Sequence, residues 1–135
     1  MKQIFFITLM TILSMKSYSQ TDMTGSWTIN FLIGVSEQTE YVLTSYSTDK
    51  FRYGNIITLK GDGTFVCAYI AWCGNDCFTT TTGRYEFVDE NHIRFILEHI
   101  SVTGDCEHKE IYIVKDLGLF FVYKDLTEIK FIKQQ

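Results

Sequence analysis

The sequence predicts an all-β domain, a small antiparallel up-and-down barrel of about eight or nine strands. Three observations predict it. Apolar residues recur at every second position in one segment after another, as they do in strands with one face on a core and one in water. Short polar connections rich in glycine, asparagine and aspartate separate those segments. No window beyond residue 19 keeps apolar residues at helical spacing over the dozen or so positions that an independent helix needs, so a short helix in residues 34–40 or 47–54 is the most that the pattern admits.

The inward set runs through odd-numbered residues. Trp27, Ile29, Phe31 and Ile33 alternate with Thr28 and Asn30, and Tyr41 and Leu43 follow near Thr44. Ile57 and Leu59 alternate with Thr58 and Lys60, then Phe65, Cys67 and Tyr69 form the next set. Tyr85 and Phe87 alternate with Arg84 and Glu86; Ile93, Phe95 and Leu97 flank Arg94. The last strands read Ile111 and Ile113, then Leu119, Phe121 and Tyr123, then Ile129 and Phe131 against Glu128 and Lys130. Thr79-Thr80-Thr81-Thr82 reads as one strand of good β propensity, because a water-ordering threonine surface needs the pattern on several strands. Lys60-Gly61-Asp62-Gly63-Thr64 is the clearest hairpin turn, its glycines supplying positive φ. Gly74-Asn75-Asp76, Asp89-Glu90-Asn91 and Asp116-Leu117-Gly118 read as further turns between neighbouring strands. Closure into a barrel removes the edges that an open sheet of this many strands would expose.

Ahead of the strands, Lys2 precedes an uncharged apolar stretch, residues 4–15, too short to span a bilayer and of the length of a signal-peptide core. Ser17-Tyr18-Ser19 places small residues at the cleavage-determining positions, so residues 1–19 read as a signal peptide cut before Gln20, and residues 20–135 as one barrel domain. The reading implies a secreted or periplasmic protein with no stable membrane insertion after processing. Losing Lys2 and Lys16 leaves 10 of the 12 basic residues against 16 acids, a net charge of −6. An acidic chain with no basic run excludes nucleic acid as a partner.

Export also favours disulfides among Cys67, Cys73, Cys77 and Cys106, with two bridges the default and three connectivities open. A zinc site from Cys73, Cys77, Cys106 and a histidine lacks the second spaced pair that such sites show, and no metal or other cofactor is expected.

Gly25-Ser26-Trp27 resembles the G-x-W triplet that opens the first strand of lipocalins. Its position shortly after the predicted cleavage, the Leu59–Phe65 hairpin, and Gly83-Arg84-Tyr85 opening a later strand add to a likeness with bacterial lipocalin-like (calycin) domains. The resemblance implies a lipocalin-like barrel in which Gly25 turns the chain into the strand and Trp27 caps the floor. No arginine follows Arg94, so the late-barrel arginine of typical lipocalins has no counterpart, and the processed chain is short for that family.

No catalytic motif stands against a binding role, so the chain reads as a non-enzyme. His92, His99 and His108 have no motif spacing, and Asp105, Glu107 and Glu110 beside Cys106 and His108 read as a solvated face without a nucleophile or oxyanion hole. Asp62, Asp76 and Asp89 fit turns better than a calcium loop. Phe, Trp and Tyr make up 16% of the chain, and two readings compete for them. Phe31, Tyr41, Phe65, Tyr69, Tyr85, Phe95 and Phe121 either line a cavity for a small apolar ligand or fill the barrel themselves. With a filled barrel, the loop from Trp72 to Cys77 becomes the contact with a protein partner of unknown identity.

Overall fold

A computed structural model describes residues 22–50, 53–72 and 75–135; the predicted signal at residues 1–19 and Cys73 lie outside them. Eight strands and no helix make up the described residues: β1 (Gly25–Ile29), β2 (Glu40–Ser45), β3 (Tyr53–Leu59), β4 (Thr64–Ala71), β5 (Cys77–Asp89), β6 (His92–Gly104), β7 (Lys109–Lys124) and β8 (Glu128–Lys133). They close into an antiparallel barrel in which each strand runs opposite to both its neighbours. From β3 to β8 the order is a plain meander. β1 sits between β2 and β3, and β2 closes the wall onto β8.

The polar connections do most of what their residues suggest. Gly63 takes φ +84° and donates its N–H to the Lys60 carbonyl at 3.1 Å, closing the β3–β4 hairpin. Asp89 caps the β5–β6 turn by accepting the Asn91 N–H at 2.8 Å. Asp116-Leu117-Gly118, in contrast, is no turn. It lies inside β7, where Phe95 pairs with Gly118 and Ile96 with Asp116, leaving Leu117 over as a bulge. Gly118 supplies φ +97°, and its N–H donates to Asp116 Oδ1 at 2.8 Å. Gly83 does not open a strand either. It sits in mid-β5, where an added Cβ would lie 2.0 Å from the Ile96 carbonyl oxygen, so only glycine lets β5 and β6 approach at their own register shift.

The bulge resets the alternation. Beyond it Phe120 and Val122 face the core, and Phe121, predicted inward, lies outside with its ring edge-on to His92 at 5.5 Å. β1 ends at Ile29, so Phe31 also escapes the predicted inward set and is 45% exposed. The odd-numbered pattern holds for Ile29, Tyr41, Leu43, Ile57, Leu59, Phe65, Cys67, Ile93, Phe95, Leu97, Ile129 and Phe131, which are buried, whereas Leu119 and Tyr123, beyond the bulge, are not.

Phe95 occupies the centre of this core. Its ring centroid lies 5.5 Å from Phe65, 6.0 Å from Phe120, 5.5 Å from Phe131 and 6.5 Å from Tyr85, and these are the tilted and edge-on geometries that aromatic quadrupoles favour. At the end where β1 begins, half-buried Trp27 packs on the core and donates its indole N–H to the Met23 carbonyl at 3.1 Å.

Candidate functional site

The strands differ in length, and the excess is concentrated on one side. β5, β6 and β7 span 13, 13 and 16 residues, against 5 to 8 for the others. β4 pairs with β5 only as far as Thr80, and β8 reaches β7 only from Phe120 onward. Residues 77–79, 99–104 and 109–114 therefore form an arm whose strands pair with one another beyond the barrel wall. Its β7 edge has a strand partner on the β6 side only.

Among the described residues no second layer covers this arm. Ile111 and Ile113, predicted to be inward, do share a sheet face with Ile100 and the buried Thr81, yet they are 45% and 44% exposed. Tyr112 and Val114 on the other face are 79% and 77% exposed. Four consecutive apolar side chains thus meet water on an unpaired strand edge. Trp72, which follows the end of β4, is exposed beside Ile70.

Polar and covalent contacts hold the arm where burial does not. Cys77 and Cys106 form a disulfide with Cα atoms 5.2 Å apart, and the Asp105 N–H donates to the Asp76 carbonyl at 3.1 Å, clasping the start of β5 to the β6–β7 hairpin. A bridge in this place suits an oxidising compartment. Cys67 is not a half-cystine: it is a buried thiol facing the barrel core, and burial pushes its pKa up to about 11. Its neighbour Thr81 is fully buried with a hydroxyl that makes no regular hydrogen bond.

Of the ionisable residues singled out from sequence, Glu110 and His108 meet on the outer face, joined there by His99 and Ser101. His99 Nε2 meets Glu110 Oε2, Ser101 Oγ donates to Oε1 at 3.1 Å, and His108 Nε2 lies 3.0 Å from Oε1. The His99 ring stacks on Tyr112 at 4.5 Å. Partial desolvation pulls the Glu110 pKa up, but the hydrogen bonds from His99 and Ser101 outweigh it and hold the carboxyl below its ordinary 4.5. These are pairwise clasps: among the described residues no group of His, Cys, Asp or Glu is arranged to hold a metal ion. Asp105 and Glu107 stay on the exposed tip outside this cluster.

The aromatics proposed to line a cavity divide among several environments. Tyr41, Phe65 and Phe95 pack in the core. Tyr85 is half-buried against Phe95 and donates its hydroxyl to the Lys60 carbonyl at 2.6 Å. Tyr69 donates to Asp76 at 3.0 Å and stacks on Phe78, joining the barrel to the base of the arm. Phe31 and Phe121 lie outside the set, as described. Sequence reasoning missed the Glu110 cluster as a unit, because only the β6–β7 register brings His99 opposite Tyr112 and Ser101 opposite Glu110.

The end of the barrel that carries the arm is covered by residues 30–39. Ile33 is fully buried, and Gly34 sits where an added Cβ would lie 3.0 Å from the Leu97 methyls. The segment is pinned by Asn30, whose side-chain oxygen accepts the Val42 N–H at 2.9 Å, and by Thr39, whose carbonyl accepts the Lys133 N–H at 2.8 Å. Beside it a cleft of about 140 Å³ opens between residues 34–38 and the rim of β7 and β8. No family model, no curated protein and no solved structure matches this chain.

Proposed function

We propose that this protein is a non-enzymatic binding module of the secreted or periplasmic space that grips a protein partner with its disulfide-clasped arm, a lipocalin-like barrel serving as the rigid mount. The observation that carries the reading is the run Ile111-Tyr112-Ile113-Val114, apolar, exposed on both faces and lying on a strand edge without a second neighbour. Unpaired apolar edges attract further chains unless they are covered, and contiguous exposed apolar surface marks interaction sites. Trp72, exposed after the end of β4, adds an aromatic of the kind that dominates binding energy at interfaces. The rings around Phe95 support this reading over a ligand chamber, because a ligand held in the barrel would have to displace side chains already packed on each other.

The test immobilises residues 20–135 and compares capture from the secretory fraction by the native chain, by a Tyr112→Lys/Val114→Lys variant and by a Lys124→Glu control at the opposite end of β7. Loss of the captured protein with the arm variant alone supports the reading. Equal capture by all three removes it.

A further inference from the structure

The cleft beside residues 30–39 has a chemistry of its own. Lys115 pairs with Leu97, whose side chain is in the core, so Lys115 occupies an inward-facing position at the rim of the barrel. Lys133 pairs with the buried Phe120 and is inward-facing for the same reason. The β7 bulge produces this arrangement: it shifts the strand's phase between Lys115 and Phe120, and the Lys133 stem runs past Gly118, its Cε in ordinary van der Waals range of where a Cβ would stand. Strands normally keep such positions for apolar residues, and here both lysines line one cleft.

Neither lysine forms an ion pair among the described residues. The neighbouring carboxylates are engaged elsewhere, Asp116 by Arg94 at 2.7 Å and Glu98 by Arg84 at 3.0 Å. Glu37 lines the same cleft without pairing with either, so the local balance is two positive charges to one negative in a chain of net charge −4. Two rings stand beneath the cleft: Tyr41 and Phe120, both nearly fully buried, have ring centroids 5.7 Å apart, and Leu117 flanks them.

We infer that this cleft binds a small aromatic carboxylate, its ring against Tyr41 and Phe120 and its anionic group between Lys115 and Lys133. Size sets the class. A cleft of about 140 Å³ has room for a ligand of about one ring, and the packed rings beneath it leave no path for a long chain. A carboxylate between two lysines gains charge-assisted hydrogen bonds that a neutral head group cannot. None of the lining residues belongs to the run at residues 111–114, so the test of the cleft stands apart from the test of the arm.

Titration of the full processed chain with benzoate, followed by amide chemical shifts, tests the assignment against two further probes, benzamide and inorganic phosphate. Saturable benzoate shifts at residues 34–38 and at Leu117 are expected, with benzamide and phosphate each about tenfold weaker or more, and with Lys115→Met and Lys133→Met each weakening benzoate about five- to tenfold. Both lysines are exposed residues, so the variants should keep the native amide spectrum. Benzamide binding as well as benzoate would remove the anion from the assignment, and phosphate binding as well would remove the ring. Absence of saturation, or shifts confined to the opposite end of the barrel, would overturn the site itself.

Discussion

The barrel body and the arm are made of the same strands and are held by different forces. In the body, alternating side chains from every strand meet across a closed wall, and Phe95 touches a ring from β4, β5, β7 and β8. In the arm the alternation continues, but among the described residues nothing lies opposite. Ile111 and Ile113 face a side on which no second sheet stands, so their burial is incomplete. A disulfide, a backbone hydrogen bond and the Glu110 clasp replace the missing layer. Alternation in a sequence therefore specifies a strand and its faces; burial needs a partner layer as well.

The comparison breaks most severely at Phe95. Phe95→Ala removes a fully buried ring from the middle of the core and should cost about 3–5 kcal/mol, seen as a lower midpoint in urea unfolding with loss of protection throughout the barrel. A cost under about 1 kcal/mol would mean that the centre of the barrel is looser than its ring contacts imply.

Next in size is the arm's covalent clasp. Cys77 and Cys106 are separated by 29 residues, and the loop-entropy model assigns such a bridge about 3–4 kcal/mol. Cys77→Ser/Cys106→Ser should lower stability by up to that amount, with the fastest amide exchange in residues 99–114 while Phe65 and Phe95 amides stay protected until global unfolding. Exchange that rises equally in body and arm would show that the two open as one unit.

The bulge in β7 comes third. Gly118→Ala forces a side chain into φ +97°, a strain of about 1–3 kcal/mol, and it should perturb Lys115, Leu117 and Phe120 more than residues 109–112. Thermal melts and amide shifts measure both effects.

How much of this was legible in the residues follows from the same physics. The strands, the Gly63 hairpin and the inward faces of β2, β3, β4 and β8 were readable because period-2 alternation survives wherever neighbouring strands stay in register. Asp116-Leu117-Gly118 was not, since an aspartate two residues before a glycine caps a hairpin turn and a bulge by the same hydrogen bond. That one ambiguity misplaced Phe121 and concealed the inward position of Lys115. Gly83 was misread for a related reason: its role is to admit the Ile96 carbonyl, which is distant in sequence. The Glu110 cluster likewise depends on register shifts between β6 and β7 that no local pattern announces.

Acid tests the polar half of the comparison. The Glu110 carboxyl titrates below its ordinary 4.5 in the folded chain, so its contribution is complete above that value and is lost as pH falls through the folded pKa. Between neutral pH and about pH 5 the arm should keep its exchange protection; on further acidification residues 99–112 should loosen before the barrel does. Glu110→Gln should show less of this pH dependence while keeping the hydrogen bond from Ser101, and an arm that opens at the same pH in both chains would assign the acid sensitivity to other carboxylates.

The smallest effect is the most informative about function. Tyr112 and Val114 already spend the folded state mostly in water, so Tyr112→Lys/Val114→Lys should change the stability of the isolated chain by no more than about 0.5 kcal/mol per site, apart from the lost stacking of Tyr112 on His99. A core position of the same residue types would lose several times that, and the contrast identifies these side chains as surface that folding does not require. A loss above about 1 kcal/mol per site in urea unfolding would instead show that the isolated chain covers its own arm, and that the run from Ile111 to Val114 belongs to the fold before it belongs to any partner.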